Sequence, residues 1–132
     1  MKHMQIVEIK NALTDLGRER LPIAYEIAKN LRICNNFIQE TADLSKALFE
    51  QFADRDTEGN LINYPVETPP GQPEQSQMKI SDPAKLKAYQ VELVKVLDAD
   101  HEVDFVKIPK IRIQSEKLVA SVVVPLIDVI IE

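Results

Sequence analysis

The chain has 132 residues, with 16 basic and 21 acidic side chains for a formal net charge of −5, and it is 45% hydrophobic and 28% charged. That length suits a single domain over residues 1–132, with apolar material enough to bury roughly two thirds of the surface its unfolded form exposes, so wholesale disorder is excluded. The acidic balance argues against a general affinity for nucleic acid or anionic membrane, which needs Lys and Arg clustered on one surface.

The nearest approach to such a cluster is Lys107, Lys110, Arg112 and Lys117, and their interleaving with apolar residues reads as the solvated face of a strand. A single cysteine, Cys34, permits no intramolecular disulfide and suits a reducing compartment. No apolar run approaches the roughly 18 residues of a membrane span, and no signal peptide opens the chain. A soluble cytoplasmic protein is the expectation. The opening Met1-Lys2-His3-Met4 reads partly as a cloning junction, so the natural start is expected at Met4 and His3 carries no weight.

In chain order, Ile6, Ile9, Leu13 and Leu16 recur at spacings of three and four, which predicts a short helix over residues 5–16 with Gly17 as its stop. A strand start at Ile6-Val7-Glu8-Ile9 is the runner-up. Pro22 suits the first turn of a second helix, and no further Pro or Gly occurs until Gly59. Ala24, Ile27, Leu31, Cys34, Ile38, Thr41, Ser45, Leu48 and Phe52 alternate steps of three and four, predicting a coiled-coil-like helix over about residues 22–53. Such a helix spans about 48 Å at roughly 1.5 Å per residue, against a diameter of about 36 Å for a compact domain of this size. Either it breaks near its weak centre, Thr41 to Ser45, or its seam meets a second copy of the chain. The expected oligomer interface is Ile27, Leu31, Cys34, Ile38, Leu48 and Phe52.

Asp54-Arg55-Asp56-Thr57-Glu58-Gly59-Asn60 closes this helix. Residues 61–81 then read as a loose, Pro-rich β-hairpin or mobile excursion, with Leu61, Ile62, Tyr64 and Val66 before the prolines, Met78 and Ile80 after them, and an exposed tip at about residues 68–75. Asp82 and Pro83 open a third helix with a buried stripe of Leu86, Tyr89, Leu93 and Leu97, ending near Asp98. Val103, Phe105, Ile111 and Ile113 share a face of an edge strand interrupted by Pro109. Residues 118–124 fit strand or buried helix, and a last short helix is expected over residues 125–131, with Leu126, Ile127 and Ile130 inward. The fold class is therefore α+β, mostly α.

No catalytic constellation emerges. Asp54, Asp56, Glu58 and Gly59 begin like a calcium loop, but Pro65 stands where the bidentate Glu should be. Asp98, Asp100, His101, Glu102 and Asp104 include hard-metal ligands at spacings that suit a solvated acidic turn better than one ion. Cys34 lies on an apolar stripe as a packing residue, Glu40 and Asp43 lie on a solvated helix face, and three scattered glycines make no phosphate loop. Tyr25, Tyr64 and Tyr89 are too dispersed for a base-stacking platform. No cofactor is expected, and a small metal-dependent enzyme using the Asp98 to Asp104 cluster stays as a third reading.

The run Leu21-Pro22-Ile23-Ala24-Tyr25-Glu26-Ile27-Ala28-Lys29-Asn30-Leu31, the closing Asp54 to Asn60 segment, the hairpin, and the Asp82-Pro83 helix with Glu92-Leu93 form an ordered set. With the strand from Glu102 to Ile108 and the Ile130-Ile131-Glu132 end, this order resembles a family of small uncharacterised proteins encoded by tailed bacteriophages and prophages. The resemblance implies expression in a bacterial cytoplasm and brings no catalytic residues with it. The sequence thus points to a non-enzymatic, self-associating protein with a structural, assembly or chaperone-like role. The alternative is a small acidic inhibitor or host-takeover factor that binds a host protein, and a host or phage protein is the other partner considered beside a homo-oligomer.

Overall fold

The computed structural model describes residues 1–17, 24–109, 124–127 and 129–131. These form a mostly helical chain with a short antiparallel hairpin, in the order α1 (His3–Gly17), α2 (Ala24–Phe52), β1 (Tyr64–Val66), β2 (Gln75–Gln77), α3 (Pro83–Asp98) and a 3-10 turn at Val124–Leu126. The chain divides into two compact units, one of residues 1–41 and 97–132 and the other of residues 42–96, so that α2 contributes to both.

In the first unit, α1 turns the predicted stripe inward: Ile6, Ile9, Ala12, Leu13 and Leu16 are buried. They join Ile27 and Cys34 of α2, Phe105, Ile108, and Leu126, Ile130 and Ile131 near the C-terminus in one apolar core. Pro22 lies outside the described residues, and α2 is helical from Ala24 without a break. Its polar centre is accommodated rather than broken. The buried Thr41 donates its hydroxyl to the Phe37 carbonyl at 3.1 Å, a local bond available to Thr within a helix.

The predicted strand from Val103 needs correction. Among the described residues 103–109 there is only an isolated bridge, Ile108 to Ile131. The reason is Asn30, fully buried on α2, whose amide donates to the Val106 carbonyl at 2.9 Å and accepts from the Val106 N–H at 2.8 Å. A side chain thereby satisfies both backbone groups that a neighbouring strand would otherwise take. Phe105 and Ile108 are buried and Val103 half-buried, whereas Ile111 and Ile113 lie outside the described residues.

The expected C-terminal helix is also shorter than its pattern. Among the described residues 124–127 and 129–131 a 3-10 turn forms at Val124–Leu126, and the Leu126 carbonyl accepts from the N–H groups of both Ile130 and Ile131 at 2.9 Å. The Ile130 carbonyl, which has no partner within a last turn, accepts from the Ile108 N–H at 2.8 Å and ties this end of the chain to residue 108. Ile131 is consequently buried, and Ile127, expected inward, is exposed. The ambiguous stretch 118–124 lies outside the described residues except for Val124, which opens the turn.

In the second unit, Gly59 at φ 85° lets the chain reverse after α2, since only glycine adopts that conformation without strain. Asp56 fixes the turn by accepting from the N–H groups of Glu58 and Asn60, each at 2.9 Å, and Arg55 donates to the carbonyls of Gly59 and Glu50. The hairpin pairs Tyr64 with Gln77, Pro65 with Ser76 and Val66 with Gln75, around a turn containing Gly71 at φ 87°. Of the residues expected to form strands, Tyr64 and Val66 do so; Leu61 makes a lone bridge to Arg55, and Met78 and Ile80 follow β2 rather than belong to it.

Helix α3 starts as the sequence predicts, with the Asp82 carboxylate accepting from the Ala84 N–H at 2.9 Å and Pro83 in the first turn. Its expected buried stripe is not fully buried. Leu86 is exposed, and Tyr89, Leu93 and Leu97 are half-buried. Periodicity identifies the apolar face of a helix but says nothing of how deeply neighbours cover it. Here the contact with α2 is aromatic: the Phe49 and Phe52 rings lie 5.3 and 6.4 Å from Tyr89.

Candidate interaction surface

The six residues of the predicted seam fall into two groups. Ile27 and Cys34 are buried in the first unit's own core, and Leu31 and Ile38 are half-buried against it. Ile27 and Cys34 are thereby covered within the protomer, while Leu31 and Ile38 keep part of their surface. Leu48 and Phe52 are half-buried in the second unit, where Phe52 stacks on Tyr89.

The second unit is thinly cored. Among its described residues, which are all of 42–96, Ala53 alone is buried. Meanwhile Leu44 of α2 is 57% exposed, and Val91 and Val94 of α3 are 51% and 56% exposed. A shallow, largely apolar groove of about 390 Å³ is lined by Leu44, Ala47, Leu48, Gln51 and Val96. Its α2 residues lie at spacings of three and four, and Leu48 among them belongs to the apolar stripe read from sequence. A segment this short rarely derives enough stability from its own core, and clustered apolar side chains left in water mark a contact surface.

The polar features of the molecule are structural in geometry. Asp54, at the end of α2, accepts from the Tyr64 hydroxyl at 2.8 Å and from the Ser81 N–H at 3.0 Å, and also from the Ser81 hydroxyl. The Ser81 hydroxyl is the main cause, with the Ser81 N–H and then Tyr64 behind it, of an Asp54 carboxyl held below its ordinary range. Tyr64 is pushed up in return, chiefly by donating to Asp54. The cluster ties the end of α2 to the hairpin and to the lead-in of α3.

Burial pushes the Cys34 thiol up to about 11, which leaves almost no thiolate at neutral pH and suits a packing residue. In the acidic stretch, Asp98, Asp100, Glu102 and Asp104 are exposed, and the His101 ring packs 5.4 Å from Phe37. Among the described residues no group of three His, Cys, Asp or Glu side chains is placed to hold a metal ion. A second open pocket of about 450 Å³ lies along the hairpin, lined by residues including Pro65, Thr68, Glu74 and Ser76, with no paired nucleophile and base. Tyr25 is exposed on α2, with the Lys29 ammonium 5.2 Å from its ring centre. No described helix is long and apolar enough to cross a membrane.

No protein-family model matches the sequence, and comparison with curated proteins and with solved structures yields no match either.

Sequence reasoning missed two contributors to this picture. Asn30 was hidden because a polar residue within an apolar helix reads as solvent-facing. Val91 and Val94 were passed over because they lie off the α3 stripe, and β-branched residues on the far side of a helix were the available signal.

Proposed function

We propose that this is a non-enzymatic interaction protein that self-associates through its long helix, in a structural, assembly or chaperone-like role. The observation that carries the reading is the exposed apolar surface of the second unit, where Leu44 and the groove beside it lie open while only Ala53 is buried. Association would remove that surface from water, at roughly 25 cal/mol per Å² of apolar area before the costs of binding. The site of association on α2 is therefore its C-terminal part, around Leu44 and Leu48, rather than the Ile27 to Ile38 part that the first unit covers. A setting in phage-infected or prophage-bearing bacterial cells rests on the sequence resemblance alone.

The test is light-scattering mass across a wide concentration range for the wild type and for Leu44→Glu, with helicity followed by circular dichroism. A wild-type mass above that of one chain, lowered by Leu44→Glu at unchanged helicity, is expected. A wild type that stays monomeric throughout refutes self-association. Capture of a single bacterial protein from lysate by that monomer would then favour the inhibitor reading.

A further inference from the structure

The exposed apolar surface of the second unit is of two kinds, one raised and one recessed. On α3, Lys87, Val91, Val94 and Lys95 recur at spacings of four, three and one, so they form a single stripe, and all four are exposed. Between Pro83 and Val96 the helix carries three lysines, Lys85, Lys87 and Lys95, against one acid, Glu92. The recess is the groove of Leu44, Ala47, Leu48, Gln51 and Val96. Beside its α2 wall runs the row Asp43, Ala47 and Glu50, with Lys46 a further step round the helix. Between Ala42 and Phe52 the acids outnumber the lysines by two to one.

We infer that the valine ridge of α3 in one copy seats in the α2 groove of a second copy, with Lys87 and Lys95 set against Asp43 and Glu50. This rests on the self-association reading and names its contact. Both halves of the contact lie on the same unit, both are apolar at the centre, and their flanks are of opposite charge. That is the arrangement in which a chain complements itself without an outside partner. Ridge and groove are different patches, so the contact is heterologous, and its rotation sets whether copies close into a ring or continue as a chain. Lys95 is held toward Glu92 by an exposed ion pair at 2.9 Å, and Asp43, exposed on α2, also has an interaction within its own chain; contacts of exposed charges of this kind are weak enough to yield to a new partner.

The experiment uses two charge-reversed full-length chains. One carries Lys87→Glu and Lys95→Glu, so that ridge and groove are both acidic; the other carries Asp43→Lys and Glu50→Lys, so that both are basic. All four positions are at or near the surface, and circular dichroism confirms that each variant folds. Each variant alone is expected to associate roughly tenfold or more weakly than the wild type at low salt, with the deficit shrinking as salt is added. An equimolar mixture of the two is expected to regain association, because the acidic ridge then meets the basic groove and the basic ridge the acidic one. Folded variants that each associate as the wild type does overturn the ridge-in-groove contact and leave self-association standing. Variants that weaken but are not rescued by mixing overturn it equally, whereas a monomeric wild type overturns both.

Discussion

Replacing Asn30 by Ala removes a buried amide that makes two hydrogen bonds to the Val106 backbone, one donated and one accepted. The Val106 N–H and carbonyl are then left without a partner in a half-buried setting, at about 1–3 kcal/mol for each group that water fails to reach. Since Val106 is not sealed from solvent, the expected loss is about 2–3 kcal/mol, or roughly a 10 °C fall in Tm for a domain of this size. Urea and thermal unfolding followed by circular dichroism provide the measurement. Asn36, exposed on the same helix, is the control, and its replacement by Ala should stay within about 0.5 kcal/mol. Asn30→Asp sharpens the test, because it keeps the acceptor but turns the donor toward Val106 into an oxygen. Burial and the facing carbonyl raise the folded-state pKa of the new carboxyl above its unfolded value. Its compatibility with the fold is then complete below that unfolded value and is lost as pH rises through the folded one. Asn30→Asp should therefore approach the wild type in acid and fall behind it at neutral pH. An Asn30→Ala protein within about 0.5 kcal/mol of the wild type would refute the account of how residues 103–109 are held.

Cys34 should resist a thiol reagent at pH 8 in the folded protein and react on unfolding, with a native rate at least about a hundredfold lower from the two-unit pKa displacement alone. The same displacement carries a stability term that is complete below the ordinary value of 9.0, fades as pH climbs toward about 11, and should vanish in Cys34→Val. For Tyr64, the phenol should titrate above its ordinary range and return to it in Asp54→Ala, read from the Tyr64 ring carbon signal by NMR. An unmoved Tyr64 titration in that variant would show that the Asp54 hydrogen bond does not form in solution.

Much of the fold is legible in the sequence where one physical signal acts alone. The stripe of α1, the uninterrupted span of α2 and the Asp82-Pro83 start of α3 follow from periodicity, from the absence of Pro and Gly, and from capping chemistry. What is not legible depends on partners distant in sequence. The strand expected at Val103 gives way to a bond between residues 76 apart, and the C-terminal residues are tied to Ile108 through the Ile130 carbonyl. Neither leaves a trace in local composition. The candidate surface shows the same division, since Leu48 was visible on the stripe while the exposure of Val91 and Val94 depends on what fails to cover them.

The apolar seam of α2 is continuous in sequence but divided in its physical task. From Ile27 to Ile38 its side chains find partners in α1 and the C-terminal residues of the same chain, and a polar pin at Asn30 fixes what lies against them. From Leu44 onward Phe49 and Phe52 pack edge-on against Tyr89, Leu48 is half-buried, and Leu44 is left in water. A helix that needed only to complete an internal core would have no reason to keep its stripe apolar beyond the residues that core covers. Charged or amide residues at Leu44, Ala47 and Leu48 would hold the helix equally well by propensity and would avoid an exposed patch. The exposure of Leu44 past the polar pair Thr41 and Ser45 is the feature on which the proposed association rests. The first half of the stripe should govern stability, and its second half association.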